Sequence, residues 1–376
     1  MARLDSICKL NMGQSPDSSS YNENGKGVPF FQGNADFGVI HPTVRVWCDA
    51  PTKIARNGDI LISVRAPIGA LNIAHTECCI GRGLAALTVD ETVCDKQYLW
   101  YGIASKVDEL NSKGTGSTFK AISKNVLAET EIPMPTIDIQ KQIALKLDNV
   151  CNLISLRKQQ LAKLDELVKA RFVELFGDTV LNPFGWEKDL LGAVCDVRDG
   201  THDSPQYYET GYPLVTSKNV TGGKIDLTDC SLICEADFNK INERSKVDIG
   251  DIIMPMIGTV GKPVIVDIEP NFAIKNVALI KFKVDSSVLN IYIRALLQSD
   301  YFDDAVLSKV RGGTQKFISL GDIRKLEVLV PPMELQQRFV AFVEQTDKSK
   351  SAIQQSLDKL ETLKKSLMQN YFGLLI

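Results

Sequence analysis

The chain repeats itself, and that repetition restricts it to an architecture built twice. Near the start of each half, Leu4-Asp5-Ser6-Ile7-Cys8 leading to Gly13 aligns with Leu191-Gly192-Ala193-Val194-Cys195 leading to Gly200. Val28-Pro29 then answers Tyr212-Pro213. Asn57-Gly58-Asp59-Ile60-Leu61-Ile62 with Gly69 answers Ile249-Gly250-Asp251-Ile252-Ile253-Met254 with Gly261. Gly-Asp ahead of apolar residues reads as a turn into a strand. The strongest match closes each half. Ser112-Lys113 to Ile122-Ser123 faces Ser308-Lys309 to Ile318-Ser319, and Glu131-Ile132-Pro133-Met134-Pro135 faces Glu327-Val328-Leu329-Val330-Pro331.

Beyond each proline break, Asp138-Ile139-Gln140 and Glu334-Leu335-Gln336 open a long segment of helical periodicity, ending at Phe176-Gly177 and Phe372-Gly373. In the first, Ile143, Leu147, Val150, Ile154, Leu161, Leu164, Val168 and Leu175 step by three and four, interrupted by Arg157 and Arg171. That is a coiled-coil seam. The second keeps Phe339, Val343, Ile353, Leu357, Leu360, Leu367 and Tyr371, with Thr346, Lys350 and Lys364 on the same stripe. Helices of this length, roughly 55 to 60 Å at 1.5 Å per residue, outrun a globule of ~140 residues, so their seams need a partner beyond it. Two in one chain can pair antiparallel. The expected domains are residues 1–136, a helix at 137–177, residues 178–332 and a helix at 333–376.

Between the helices, β-rich runs such as Asp59-Ile60-Leu61-Ile62-Ser63-Val64 and Ala278-Leu279-Ile280-Lys281-Phe282-Lys283-Val284 alternate with turn signals. Short helices are expected around Lys96 to Val107 and Leu289 to Ala305. The fold class is therefore α+β: two similar globules with curved sheets, separated by two long helices pairing as an antiparallel coiled coil. Polar, Gly-containing loops between the strands are where binding groups belong.

Each globule carries a late loop rich in Gly, Thr and Lys, Ser112 to Lys120 and Ser308 to Phe317. Backbone N–H groups freed by glycine, with hydroxyls and cations, suit a phosphate backbone, and Gln and Arg can add contacts to base edges. An earlier loop, Arg198-Asp199-Gly200-Thr201-His202-Asp203-Ser204-Pro205, places hydroxyls and a histidine beside a glycine turn. Its counterpart, Asn11-Met12-Gly13-Gln14-Ser15-Pro16, has no histidine, which removes any metal or acid–base role common to both halves. Candidate DNA contacts in the first half are Gln14, Ser15, Asn34, Arg65, Arg82, Lys113, Thr115, Ser117, Thr118 and Lys120. In the second they are Thr201, His202, Ser204, Lys218, Asn219, Arg311, Gly312, Thr314, Gln315 and Lys316.

Composition narrows the reading further. With 44% hydrophobic and 24% charged residues and no apolar run near ~18 residues, neither a membrane span nor a disordered chain fits. The opening MARLDSICKL lacks a signal-peptide core, so a cytoplasmic location is expected. Nine cysteines without a CxxC pair read as buried small hydrophobes in a reducing compartment. The net charge of -3 leaves few surplus cations for phosphates, so DNA binding needs local basic patches or basic partners. Asn182-Pro183-Phe184 lacks the second proline of an adenine-methyltransferase signature and reads as a turn before Trp186. Gly258-Thr259-Val260-Gly261-Lys262-Pro263 lacks P-loop spacing, and the three histidines have no zinc spacing. No catalytic centre emerges.

Over essentially its whole length the chain resembles the specificity subunit of type I restriction-modification systems. Asp199-Gly200-Thr201-His202 with Ser204-Pro205, then Gly211-Tyr212-Pro213 and Lys218-Asn219-Val220, is similar to the opening of a target-recognition domain. Gly250-Asp251-Ile252-Ile253 and Gly312-Gly313-Thr314-Gln315 resemble its middle and end. Pro331-Pro332-Met333-Glu334-Leu335-Gln336-Gln337 resembles the start of the family's helical region. The first globule departs from the pattern, with Asn11-Met12-Gly13-Gln14 and Gly116-Ser117-Thr118-Phe119 at the corresponding places. The resemblance implies a non-catalytic subunit whose two domains each read half of a bipartite double-stranded DNA target. Its helices would bind two methyltransferase subunits and fix the gap between half-sites, with restriction-motor subunits joining for cleavage. S-adenosylmethionine, ATP and Mg would then be held by the partners, with no cofactor, metal or catalytic residue here. The alternative is a paired-domain protein–protein adaptor on a coiled-coil scaffold.

Overall fold

The apolar runs bounded by turn residues pair into sheets, and the sheets sit in two units. The computed structural model describes residues 1–116, 120–257, 261–299, 301–302 and 317–373. One unit is Met1–Lys158 with Gln355–Ile376; the other is Gln159–Gln354. Each unit therefore combines one globule with a piece of both long helices.

In the first unit, Cys8–Met12, Leu84–Val89, Ile60–Ser63 and Leu71–Ile73 form an antiparallel sheet in that order. Ile60–Ser63 is buried on both faces, which is why it reads as an unbroken apolar run. Ile60, Ile62, Ala85 and Leu87 face the helices, joining Tyr98, Leu99 and Leu147. Leu61, Leu84 and Ala86 face the other way, onto Phe31 and Ile80 of a second sheet. That sheet has the order Tyr21–Asn22, Val46–Cys48, Val28–Phe31, Cys78–Ile80, Ile54–Ala55, with one parallel pairing, Phe30 opposite Cys79.

The second unit repeats the plan. Asp196–Asp199, Val277–Lys281, Ile252–Pro255 and Val264–Ile265 form the antiparallel sheet. Ile252, Met254, Ala278 and Ile280 face the helices, and Ile253, Val277 and Leu279 the other side. Its second sheet is shorter: Ser231–Ile233, Tyr212–Val215 and Ala273–Ile274, again with one parallel pairing, Leu214 opposite Ala273. Added here are a hairpin, Val220–Thr221 with Lys224–Ile225, and a helix, Glu235–Ser245.

The long helices are Ile137–Phe176 and Met333–Phe372, 40 residues each. Both start on the same buried latch. The Gln140 side chain accepts from the Asp95 N–H (2.9 Å) and donates to the Val93 and Pro135 carbonyls (3.2 and 2.8 Å). Gln336 accepts from the Leu289 N–H (2.8 Å) and donates to the Ser287 and Pro331 carbonyls (both 2.9 Å). Both glutamines have 0% exposure, so all three bonds substitute for water that cannot reach them. The helices also end alike: Phe372 packs on Tyr98 (ring centroids 5.0 Å) and Phe176 on Tyr292 (4.8 Å). The start of one helix and the end of the other thus share a core in each unit. They run antiparallel there, with Lys158–Glu361 (2.9 Å) in the first unit and Lys350–Asp165 (2.6 Å) in the second.

The polar seam positions are accommodated individually. Arg171 lies over the Phe342 ring at 5.7 Å and pairs with Glu174. Thr346, 6% exposed, donates its hydroxyl to the Phe342 carbonyl at 2.9 Å. Within the span expected as helix from Leu289 to Ala305, Asn290–Leu296 is helical and residues 301–302 are helical again, while part of the span lies outside the described residues. Asn182 forms a tight turn through Trp186, bonding both its N–H and its carbonyl at 2.9 Å. The nine cysteines are free and six are buried, with burial pushing the thiols of Cys8, Cys78, Cys94 and Cys195 up to about 12. Among the described residues no helix is long and apolar enough to cross a membrane.

Candidate nucleic-acid interface

A shared backbone frame carries the site in both globules. The Gly13 N–H donates to the Leu84 carbonyl and the Gln14 N–H to the Ile80 carbonyl (2.9 and 3.0 Å). Gly200 and Thr201 do the same toward Val277 and Ile274 (both 3.0 Å). A Cβ on Gly13 would stand 2.1 Å from the Gly81 oxygen, and one on Gly200 would stand 2.4 Å from the Ile274 oxygen. Only glycine permits that approach, so the duplicated glycine signals a crossing that brings two loops together.

In the first globule the crossing assembles most of the expected residues on one surface. The Arg82 N–H and the Gln32 side chain both donate to the Ser15 hydroxyl (3.4 Å each), with Asn34 two residues beyond Gln32. The Val64 N–H donates to the Gly83 carbonyl, Arg65 bridges Ala121, and the Ala66 N–H donates to the Lys120 carbonyl. Thr115 and Ala121 exchange two backbone bonds (3.0 and 2.9 Å). Gln14, Ser15, Asn34, Arg82, Arg65, Lys120 and Thr115 thus lie along a continuous hydrogen-bonded path. The side chains of Arg65, Arg82 and Lys120 are exposed and have no hydrogen bond or ion pair among the described residues. Lys113 is instead tied to Glu109 at 2.7 Å, and this bond holds the Glu109 carboxyl below its usual range.

The second globule brings its residues together through internal pairs. His202 lies between Asp199 and Asn276, each of its ring nitrogens 2.8 Å from a side-chain oxygen. Arg244 also pairs with Asp199, and Lys275 donates to the Ser204 hydroxyl at 2.8 Å. Arg198 binds Asp196 (2.6 Å), which holds that carboxyl below its usual range. A cleft of about 250 Å³ opens between Thr201–Pro205 and the helix Glu235–Ser245, where Lys240 and Arg244 line it. Lys218 is exposed on the turn Ser217–Asn219. Asn219 is a correction to the expectation: it is 6% exposed, and its amide oxygen caps the turn by accepting from the Thr216 N–H and hydroxyl (both 3.0 Å). Such a buried cap cannot reach a groove without opening the turn.

Ser117, Thr118, Arg311, Gly312, Thr314, Gln315 and Lys316 lie outside the described residues. Four contributors escaped the sequence reading: Gln32, Lys275, Arg244 and Asn276. Lys275 was within reach, because the repeat that equates Ile80 with Ile274 puts it in the loop that holds Arg82. Arg244 was not, since the helix bearing it has no counterpart in the first half. No group of three His, Cys, Asp or Glu residues able to hold a metal occurs among the described residues.

A family profile for the type I restriction modification DNA specificity domain matches residues 1–166 and again 183–363. A protein of Methanocaldococcus jannaschii named for the MjaX type I restriction enzyme specificity subunit is 41% identical over 161 residues, 43% of this chain and 38% of that protein. The chain therefore spans well under half of that relative in the match. The MjaIX type I restriction enzyme specificity subunit of the same organism is 28% identical over 325 residues, 78% of this chain and 71% of its own. The crystal structure of the S subunit of a type I restriction-modification system from M. genitalium shares the fold. Its TM-score is 0.61 at 17% identity, covering 100% of this chain and 96% of that one.

Proposed function

We propose that this chain, which belongs to the type I restriction modification DNA specificity domain family, is the DNA-recognition subunit of a type I modification complex. Each globule reads one half of a bipartite duplex target, and the long helices dock two methyltransferase subunits. The observation that carries this is the repeated crossing at Gly13 and Gly200, which puts polar side chains on one exposed surface of each globule. Arg65, Arg82 and Lys120, exposed and without an ion pair among the described residues, supply phosphate contacts, while Gln14, Gln32 and Asn34 have the amide groups that read base edges. With a net charge of -3, the chain relies on its partners for affinity, and those partners hold S-adenosylmethionine and carry out methyl transfer. A cytoplasmic location fits that role.

Mapping methylated adenines in cells that co-express the chain with a methyltransferase subunit tests the proposal, with two short motifs at a constant spacing as the expected result. A four-residue insertion after Gln159 adds about 6 Å if the helix stays continuous. It should keep both motifs and lengthen the spacer by about one or two base pairs, since duplex DNA rises about 3.4 Å per pair. An unchanged spacer in an active complex would remove the helices' spacing role. Absence of any split target would favour the adaptor reading.

A further inference from the structure

Each unit carries a crevice where its short helix meets the two long ones, and the two crevices correspond. In the second unit the crevice is about 470 Å³, lined by Phe172, Val173 and Val343 together with Lys169, Arg294 and Lys350. In the first it is about 690 Å³, with Lys158, Glu361, Lys364 and Lys365 around Met368 and Phe372. The repeat places Lys365 where the second unit has Lys169, and Glu361 where it has Asp165, when Phe372 is matched to Phe176. Ser105 and Ser299 mark the same corner, each donating its hydroxyl back to a helix carbonyl at 2.7 Å.

Both crevices hold more cation than anion. In the second, Asp165 and Asp347 are engaged by Lys350 (2.6 and 3.7 Å). Lys169 is exposed, with no ion pair among the described residues. Arg294 is the more telling residue. Its Nε is buried without an acceptor, and the side chain makes no hydrogen bond among the described residues. Asp347 and Asp267 act on it only at a distance, and burial pushes its guanidinium below its usual value. A guanidinium Nε buried without an acceptor among the described residues costs free energy, so a carboxylate brought by another molecule would stabilise this position. The wall beside it is apolar, and Val173 remains 55% exposed at the rim.

We infer that each crevice seats an acidic amphipathic segment of one methyltransferase copy, with a carboxylate of that segment binding Arg294 in the second unit and the Lys364–Lys365 pair in the first. The inference rests on the proposed role as a methyltransferase-docking subunit and adds the position and charge of the contact. An apolar stripe with one acidic group fits a groove of apolar walls around a buried cation. Two like crevices provide for two copies of one partner.

The test is the methyltransferase stoichiometry and affinity of the full chain, measured by native mass spectrometry and titration. Wild type is expected to bind two copies. Arg294→Met should fold at least as stably, because it removes a desolvated charge, yet bind the second copy at least about 30-fold more weakly, the loss typical when one partner of a buried charge pair is removed. Lys169→Glu, at an exposed position, should weaken the same copy, and the double change Lys364→Glu with Lys365→Glu should weaken the other. Two copies bound to all three variants with unchanged affinity would overturn the crevice assignment and leave the recognition role standing. A wild-type chain that binds no methyltransferase would overturn both.

Discussion

At the candidate interface the first globule presents three cations without ion pairs among the described residues, whereas the arginines of the second are held by neighbouring carboxylates. Arg65, Arg82 and Lys120 stand free on the surface of the first among the described residues. In the second, Arg198 and Arg244 are held by Asp196 and Asp199, and His202 bonds the same Asp199. Both surfaces hang from the same glycine crossing and the same glutamine latch. The difference teaches that the frame and the reading surface vary independently: the backbone bonds that position the loops are satisfied by main-chain groups and leave the side chains open to change.

The largest test addresses the frame itself. Gln140→Leu and Gln336→Leu each leave a buried N–H and two carbonyls without partners, and each should cost about 2–4 kcal/mol of stability in denaturant unfolding. Near-equal losses would sharpen the equivalence of the halves, and a loss confined to one would break it.

The next addresses the surfaces. In the assembled complex, Arg65→Ala, Arg82→Ala and Lys120→Ala together should weaken binding to all sequences and reduce the salt dependence, log K against log salt, by about 2–3. Lys275→Ala in the second globule, where the lysine already bonds Ser204, should change that slope by less than about 1. Equal slopes for single changes in either globule would erase the contrast.

The smallest effect lies under the sheets. Asp59 and Asp251 are equivalent buried carboxylates, each accepting one backbone N–H at 2.8 Å, but only Asp251 has a lysine, Lys281, at 2.5 Å. The first globule has Thr88 in that place. Burial raises the Asp251 carboxyl above its usual range while Lys281 opposes the rise. Lys281→Thr should cost roughly 1–2 kcal/mol near neutral pH, below the penalty for a fully stranded buried charge because the backbone bond remains. Without the lysine the folded-state carboxyl rises further above its unfolded value. The folded state then binds the extra proton, and the deficit shrinks as the pH falls from neutrality into the raised carboxyl range. A deficit that grew on acidification would contradict this account.

Much of the frame was legible in the chain because it is written twice. Gly13 with Gly200, Gln140 with Gln336 and Phe176 with Phe372 stand at repeated positions, and apolar periodicity alone marked both 40-residue helices. Asn219 misled for a physical reason: asparagine serves a surface contact and a turn cap equally well, and only the geometry with Thr216 separates them.

The sequence by itself determined that the fold is built twice, where the long helices run and which apolar runs form strands, since these depend on local periodicity and repetition. Tertiary structure alone decided which polar groups meet. It put Arg82 beside Ser15, closed Arg244 and His202 onto Asp199, and left the Arg294 Nε without an acceptor among the described residues. Apart from that of His202 with Asp199, three residues away, those contacts join residues distant in the chain or come from an element present in one half only. Their energies depend on burial and on distances of a few ångströms, which periodicity does not encode.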